Sequence, residues 1–447
     1  MPVKFPSTVD PEAVRELARQ LLERLGPRAV TTDLRQRQKV SQDGAAMSPI
    51  LAAQLPLGLA DLVCFPVDAA EIATAVGAAV GLGVPVTPRG QGTGNYGQGV
   101  PMGGGLLLDL SRATTVAGIA DGVITADAGA RLITLENTAR AEGLELWMYP
   151  STAQSSVGGF LSGGSGGTGT IEHGLNHQGF VAELDVVHAV PDARLVHVQG
   201  EDAAPYVHTY GTAGIIARAG VRLAPARDWR GLWASFPDFP AALSVLRPVG
   251  SLDPLPRLVS ADVARVAAAL PTDPAIPAGR ASLRAILDPA AVPAATALIE
   301  RAGGRVEAVR DDPGVQLRLS TLSYNHPTWW LMNAEPDRWF HVEVGGDALI
   351  DRIDEVHAVF PDGMLHIEAA HTVPIGMLNG RYESPERVYA GIERLRELGV
   401  GVHDCHQWHV DFEVDRTRAL AARTDPHGLL NPGKLTSPRA GRVPVPR

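Results

Sequence analysis

The segment GVHDCHQWHVDFE, residues 401–413, gathers three histidines, three acids and a cysteine. Imidazole has an ordinary pKa close to neutrality, so such a cluster suits proton transfer. Read as a strand, the segment alternates, with His406 and Trp408 on one face and His403, Cys405 and His409 on the other. We expect His406 or His409 to act as base or substrate contact, with His371, Glu368 and Tyr324 as further candidates. Zinc needs ligands converging tetrahedrally from one side. Alternation spreads His403, Asp404, His406 and His409 apart, and no metal is expected.

Upstream, the chemistry lies in the backbone. Residues 90–105 hold eight glycines and residues 158–169 hold seven. Gly92, Gly94 and Gly97 spell G-x-G-x-x-G, with Asp109 downstream, but that dinucleotide fingerprint needs a helix directly after it. Here QGVPMGGG and an apolar strand LLLDL follow instead. What remains is a strand, a glycine turn and a strand, a geometry that bares backbone N–H groups as an anion nest without a helix end. Arg89, Thr93 and Asn95 add hydrogen-bonding capacity, and SSVGGFLSGGSGGTG repeats the chemistry further along. Two such nests closing on one ligand suit the diphosphate of an extended cofactor.

These groups need a scaffold. The chain has 447 residues, 45% apolar and 20% charged, a globular composition with room for two or three domains. A formal charge of -10 argues against a nucleic-acid or anionic-membrane footprint. Cys64 and Cys405 make no disulfide framework. The N-terminal residues lack a signal pattern, and no apolar run reaches the roughly 20 residues of a membrane helix. A cytoplasmic protein is expected. Helices are predicted over 10–25, 68–81, 132–142, 261–270 and 293–302, and strands over 63–66, 84–87, 106–110, 180–190, 194–198 and 215–223, with a β-pair over 119–128. Phe340–Val344 and His366–Glu368 also alternate, putting His341 with Glu343, and His366 with Glu368, on shared faces. Of Trp329, Trp330 and Trp339, at least two are expected in the core.

The runs VPVTPRGQGTGNYGQG, PSTAQSSVGGFLSGGSGGTG, YGTAGIIARAGVRLAP and DPHGLLNPGKL, in this order, resemble the vanillyl-alcohol oxidase family, flavoproteins with the p-cresol methylhydroxylase (PCMH) type of FAD domain. The resemblance spans residues 56–228 and 425–435. It implies an α+β fold: a two-subdomain PCMH-type FAD-binding domain over 56–228, an N-terminal helical and loop segment over 1–55, an α+β substrate (cap) domain over 229–424, and a tail over 425–447 returning to the FAD domain.

It further implies that FAD is cradled by Pro88, Arg89, Gly90, Gln91, Gly92, Thr93, Gly94, Asn95 and Tyr96, and by Pro150, Thr152, Ser155, Ser156, Val157, Gly158 and Gly159. Ser162, Gly163, Gly166 and Gly167 would continue that wall, and Gly211, Gly214, Ile215 and Ile216 would line the adenine side. Asn431 and Lys434 would return towards the flavin, where a cation stabilises the anionic reduced ring. The chain has only three lysines, Lys4, Lys39 and Lys434. Relatives with covalent FAD carry a histidine and a cysteine where Thr93 and Thr152 stand, so dissociable FAD is expected, although a cap histidine makes the link in some branches. The H-x-G-D-G-N-x-H metal stretch of the related 2-hydroxy-acid dehydrogenases is missing.

The function expected is transfer of a hydride from a small alcohol, hydroxy acid or amine to flavin. Two alternatives stand beside it: a nicotinamide-dependent flavin reductase of the same fold, and a non-catalytic nucleotide-binding module. The expected partner is a small-molecule substrate, without nucleic acid or membrane, in a chain compatible with a homo-oligomer.

Overall fold

A computed structural model describes residues 7–55, 58–190, 193–335 and 338–435. Residue 56, where the FAD domain was expected to begin, and tail residues 436–447 lie outside these.

Asp10 caps the helix Pro11–Leu25 by accepting from the Glu12 N–H, with Pro11 in the first turn where its missing N–H costs nothing. Asp68 does the same for Ala69–Gly81, accepting from the Glu71 N–H. Both pack on a four-stranded sheet, β1 (Val30–Thr31), β2 (Leu62–Cys64), β3 (Val86–Arg89) and β4 (Leu106–Asp109), in the order β1-β2-β4-β3. β2 and β3 run parallel to β4, while β1 is antiparallel to β2.

A second sheet comprises β5 (Val116–Ala120), β6 (Val123–Asp127), β7 (Leu144–Leu146), β8 (Val181–Val187), β9 (Leu195–Gln199) and β10 (Ile215–Pro225). Its order is β5-β6-β10-β8-β9, with β7 on the end of β10. One apolar core joins both sheets and their helices.

From Arg230 the chain builds an eight-stranded sheet with its own core. Its strands are β11 (Arg230–Phe236), β12 (Leu258–Asp262), β13 (Ala281–Leu287), β14 (Arg305–Arg310), β15 (Trp339–Gly345), β16 (Met364–Glu368), β17 (Ile375–Arg381) and β18 (Gly401–His403). The order is β14-β11-β13-β12-β16-β17-β15-β18, all neighbours antiparallel. Phe340, Val342, Leu365, Ile367, Leu378, Ala261 and Leu283 point into the core beneath the helices. Alternation sends the residues between them to the opposite face. Among the described residues no helix is long and apolar enough to cross a membrane.

Several local expectations are corrected. The helix expected over 261–270 covers only Ala264–Ala269, because β12 claims 258–262 through pairing with both β13 and β16. The strand expected over 401–413 ends at His403. There the Asp404 carboxylate accepts from the His406 N–H and the Gln407 amide oxygen from the His409 N–H, folding the chain into turns. Trp339 is buried, but Trp330 is half-buried and Trp329 is 42% exposed, so only one of the three sits in the core. The second glycine run also opens a short helix, Val157–Gly163, capped by the Ser156 hydroxyl accepting from the Gly159 N–H. The helix-free pair of nests read from the sequence thus holds for the first loop alone.

Candidate active site

The two glycine loops face each other. Thr93 and Ser155 share a hydrogen bond of 2.7 Å between their hydroxyls. A Cβ at Gly90 would stand 2.1 Å from the Ser156 Oγ, so only glycine allows the loops this approach. Gly92 has φ +68°, and its missing side chain leaves room for the Arg89 guanidinium, which turns back to the buried Asp109 carboxylate at 3.1 Å. Such a paired glycine cradle fits an extended diphosphate.

The remaining residues singled out in the sequence surround it. Gly211 abuts Pro88, and Ile215 and Ile216 are buried at the start of β10. The Ser155 N–H donates to the Thr152 carbonyl beside Pro150. Gly166 lies against the Tyr324 ring, and Gly163 against Tyr210. The tail is stitched beneath the first loop: the Asn431 side chain donates to the carbonyls of Gln98 (2.8 Å) and Tyr210 (2.7 Å), and Lys434 Nζ donates to the Gly97 carbonyl at 2.5 Å. Lys434 is wholly buried. Burial pushes its ammonium down to about 7, against the pull of Asp43.

Against this cradle stands the outer face of the cap sheet. Residues directly opposite in antiparallel register share a face. His403 opposes Glu343, Glu343 opposes Met377, Met377 opposes His366, and His366 opposes Asp262. A parallel row sets His341 beside Asn379. Both glycine loops bond to elements of this wall. The Tyr96 hydroxyl donates to Glu343 Oε1 at 2.7 Å, and the Tyr324 hydroxyl donates to the Gly167 carbonyl at 2.5 Å. Tyr324 holds φ +53°, with its N–H donating to Glu368 Oε1 at 2.7 Å.

Two charged networks cross the wall. In one, His403 bonds Glu343 through Nδ1 (2.9 Å) and Asp411 through Nε2 (2.7 Å), while Asn325 donates to the Tyr96 oxygen (3.2 Å). Burial alone would discharge His403, but Glu343 and Asp411 reverse this and raise it well above the usual imidazole range. Burial works equally against Glu343, yet His403 and Tyr96 bring it down to about 2. Glu343, His403 and Cys405 place potential ligand atoms within 4.8 Å of one another. Because both His403 nitrogens engage carboxylates, the arrangement is an imidazolium clamp.

In the other network, all of it buried, His366 lies between Asp262 and Glu368, each at 2.7 Å, and Arg284 meets Asp262 at 2.5 Å. Despite complete burial, Asp262 foremost lifts His366 to about 9.

His341 and His406 are different. They are 1% and 2% exposed, with ring centroids 6.4 Å apart, and Tyr96 lies 6.2 Å from His341. His406 Nδ1 meets the Ser48 hydroxyl at 2.7 Å, but His406 Nε2 and both His341 nitrogens have no hydrogen-bond partner in the chain. Burial depresses His341 to about 3 and His406 to about 4, so both are neutral near pH 7.

The structure therefore brings His406, Glu368 and Tyr324 to this wall. It places His371 elsewhere, exposed and bonded to the Ile171 carbonyl. His409 is half-buried beside Trp408, one residue before Val410, whose N–H donates to the Lys434 carbonyl. The expected faces within 401–413 do not apply, because the turns after His403 break the alternation. Sequence reasoning missed Asp262, Arg284 and Asn379 as members of this wall, and the N-terminal residues Asp43 and Ser48. For His341, Glu343 and His366 the alternation was the available signal.

Residues 60–199 match the family model described as "FAD binding domain". The chain is 29% identical over 194 residues to D-lactate dehydrogenase of Archaeoglobus fulgidus, covering 41% of this chain and 43% of that protein. With glycolate oxidase subunit GlcD of Bacillus subtilis it shares 25% over 425 residues, 79% of this chain and 84% of the relative. The chain thus spans less than half the length of the first of these relatives. Among solved structures, alkyldihydroxyacetonephosphate synthase superposes with a TM-score of 0.75 at 17% identity, covering 96% of this chain and 87% of the other. A 4-ethylphenol oxidase from Gulosibacter chungangensis, in its isoeugenol complex, gives 0.68 at 18% identity, covering 96% and 98%. The chain therefore carries an FAD-binding domain, with FAD as its cofactor, inside the mixed helix-and-sheet fold of those two structures.

Proposed function

We propose that this chain is an FAD-dependent oxidoreductase acting on a carbon that bears a hydroxyl group. One observation carries the reading: both glycine loops are pinned to the polar wall, through Tyr96–Glu343 and Tyr324–Gly167, so cofactor cradle and proton-handling groups share one site. The D-lactate dehydrogenase and glycolate oxidase relatives support the same class of donor. Residues 56–228 with the tail would hold the cofactor, and 229–424 the substrate.

Gly90, Gly92, Thr93, Ser155 and Ser156 would hold the diphosphate, and Lys434 would lie near the flavin ring. When bound, FAD supplies the hydride acceptor. The chain must then take the hydroxyl proton. Tyr96 would relay it: its oxygen, which now accepts from Asn325, would accept the hydroxyl proton as its own proton passes to the Glu343 carboxylate. His403 holds Glu343 in position, and Asp411 holds His403. Tyr324 would fix the far side of the donor. Thr93, bonded to Ser155, and Thr152 offer no ring linkage, so FAD would be dissociable unless a cap histidine attaches it.

Purified protein is expected to be yellow, to release its flavin on acid treatment, and to bleach anaerobically with a cognate alcohol. Tyr96→Phe should retain FAD and lose bleaching rate. A colourless protein that cannot be reconstituted with FAD, or Tyr96→Phe bleaching at the original rate, would refute the assignment.

A further inference from the structure

Some buried polar atoms without hydrogen-bond partners on the cap wall belong to its charged networks, namely Glu368 Oε2 and Arg284 Nε, with Asp262 Oδ2 and His403 Nε2 held in ion pairs, while a second group is uncharged. The uncharged group is His341 Nδ1 and Nε2, His406 Nε2 and Asn379 Oδ1, on side chains 1%, 2% and 0% exposed. His341 and Asn379 are register partners, and the His406 and His341 rings meet edge-on. Buried imidazole and amide groups are normally hydrogen-bonded, so this group is built for a partner from outside the chain.

The interior cations on the same face each have a carboxylate partner, with Arg284 Nε left unbonded. Arg284 and His366 bond Asp262, His366 also bonds Glu368, and His403 lies between Glu343 and Asp411. Arg310 is held by Asp273, and Arg381 stands at the exposed end of β17. On the facing loops, Arg89 bonds Asp109 and Lys434 is drawn to Asp43. Among the described residues an entering carboxylate would meet Glu343 and Glu368 with no interior cation free to receive it, whereas a hydroxyl can donate to one imidazole nitrogen and accept from another.

We infer that His341, His406 and Asn379 form a specificity subsite for an uncharged hydroxylated compound, so that the donor is a neutral alcohol and hydroxy acids are disfavoured. This rests on the oxidoreductase reading above and narrows its substrate class.

The test uses the FAD-loaded protein and charge-matched pairs: lactate against lactamide, glycolate against ethylene glycol, and 4-(hydroxymethyl)benzoate against benzyl alcohol. Binding is read from perturbation of the flavin spectrum, and turnover from anaerobic bleaching. The neutral member of a pair should bind and turn over at least tenfold better. His341→Phe and His406→Asn should each erase that advantage by weakening the neutral member, with FAD content unchanged and folding checked by thermal melting. A tenfold preference for the carboxylate, no spectral shift with any neutral member, or an advantage that survives both variants would overturn the subsite. Discriminating binding without bleaching would leave the subsite standing and bring down the oxidoreductase reading.

Discussion

The two walls of the candidate site are made from opposite materials. The cofactor side is backbone, shaped by missing side chains: Gly90 lets Ser156 approach, and Gly92 clears space for Arg89. The cap side is side chains on a rigid sheet, with Glu343, His366, Glu368 and His341 at alternate positions of β15 and β16. A backbone wall recognises a ligand by shape and anionic charge, and any added carbon damages it. A side-chain wall tolerates replacement as structure but loses a specific chemical property with each one. The first wall should therefore fail in cofactor binding, and the second in substrate binding or rate.

The largest effect is expected from Gly90→Val, whose side chain would collide with Ser156. FAD affinity should fall by more than about 100-fold, each tenfold equivalent to about 1.4 kcal/mol, as measured by flavin titration. The cap should still fold, as judged by its tryptophan fluorescence. Retention of FAD at the original affinity would show that the loops do not form the cradle.

Next comes Tyr96→Phe, which removes the hydroxyl bonded to Glu343. A fall in kcat of roughly 10²-fold is expected, the scale of general acid–base catalysis, with FAD binding intact. Loss of FAD with kcat unchanged would erase the distinction between the walls.

The pH dependence sharpens the comparison within the cap. His366, raised to about 9, binds a proton more tightly folded than unfolded. Its contribution is full below about 6.5, the unfolded value, and declines as pH rises through 9. His341, depressed to about 3, has the opposite sign: the unfolded chain takes the proton first, so stability declines as pH falls from about 6.5 towards 3. Melting temperatures should show His366→Gln flattening the alkaline limb and His341→Gln the acid limb. A shared limb would mean that the two imidazoles do not differ in charge.

The smallest effect is expected at the surface pairs of Arg247 with Asp347 and Asp351, where Arg247→Ala should change stability by no more than about 1 kcal/mol in denaturant unfolding. A larger loss would place stability of the cap outside its sheet and core.

How legible each wall was follows from the range of its interactions. The glycine loops are local patterns, and Thr93 and Ser155 lie in the two segments that the sequence singled out. The alternation of β15 and β16 likewise put His341 with Glu343 and His366 with Glu368. What could not be read was pairing across distance: Tyr96 and Glu343 are 247 residues apart, and Ser48 and His406 are 358 apart. Local periodicity carries no information about such partners. The 401–413 segment misled because its side chains compete with strand pairing, Asp404 and Gln407 each capturing a backbone N–H two residues on. His371 resembled His366 in type and neighbourhood, but it falls beyond the end of β16, where no register holds it on the wall.

The C-terminal stitching has a consequence for assembly. Asn431 and Lys434 brace the first glycine loop from below, yet in chain order they come after every strand of the cap. During synthesis the coenzyme pocket stays unfinished until the last of these residues leaves the ribosome. With FAD held by this loop as proposed, flavin capture would be a closing event in biogenesis, and a chain truncated before residue 431 would emerge with its cap sheet complete and its yellow colour missing.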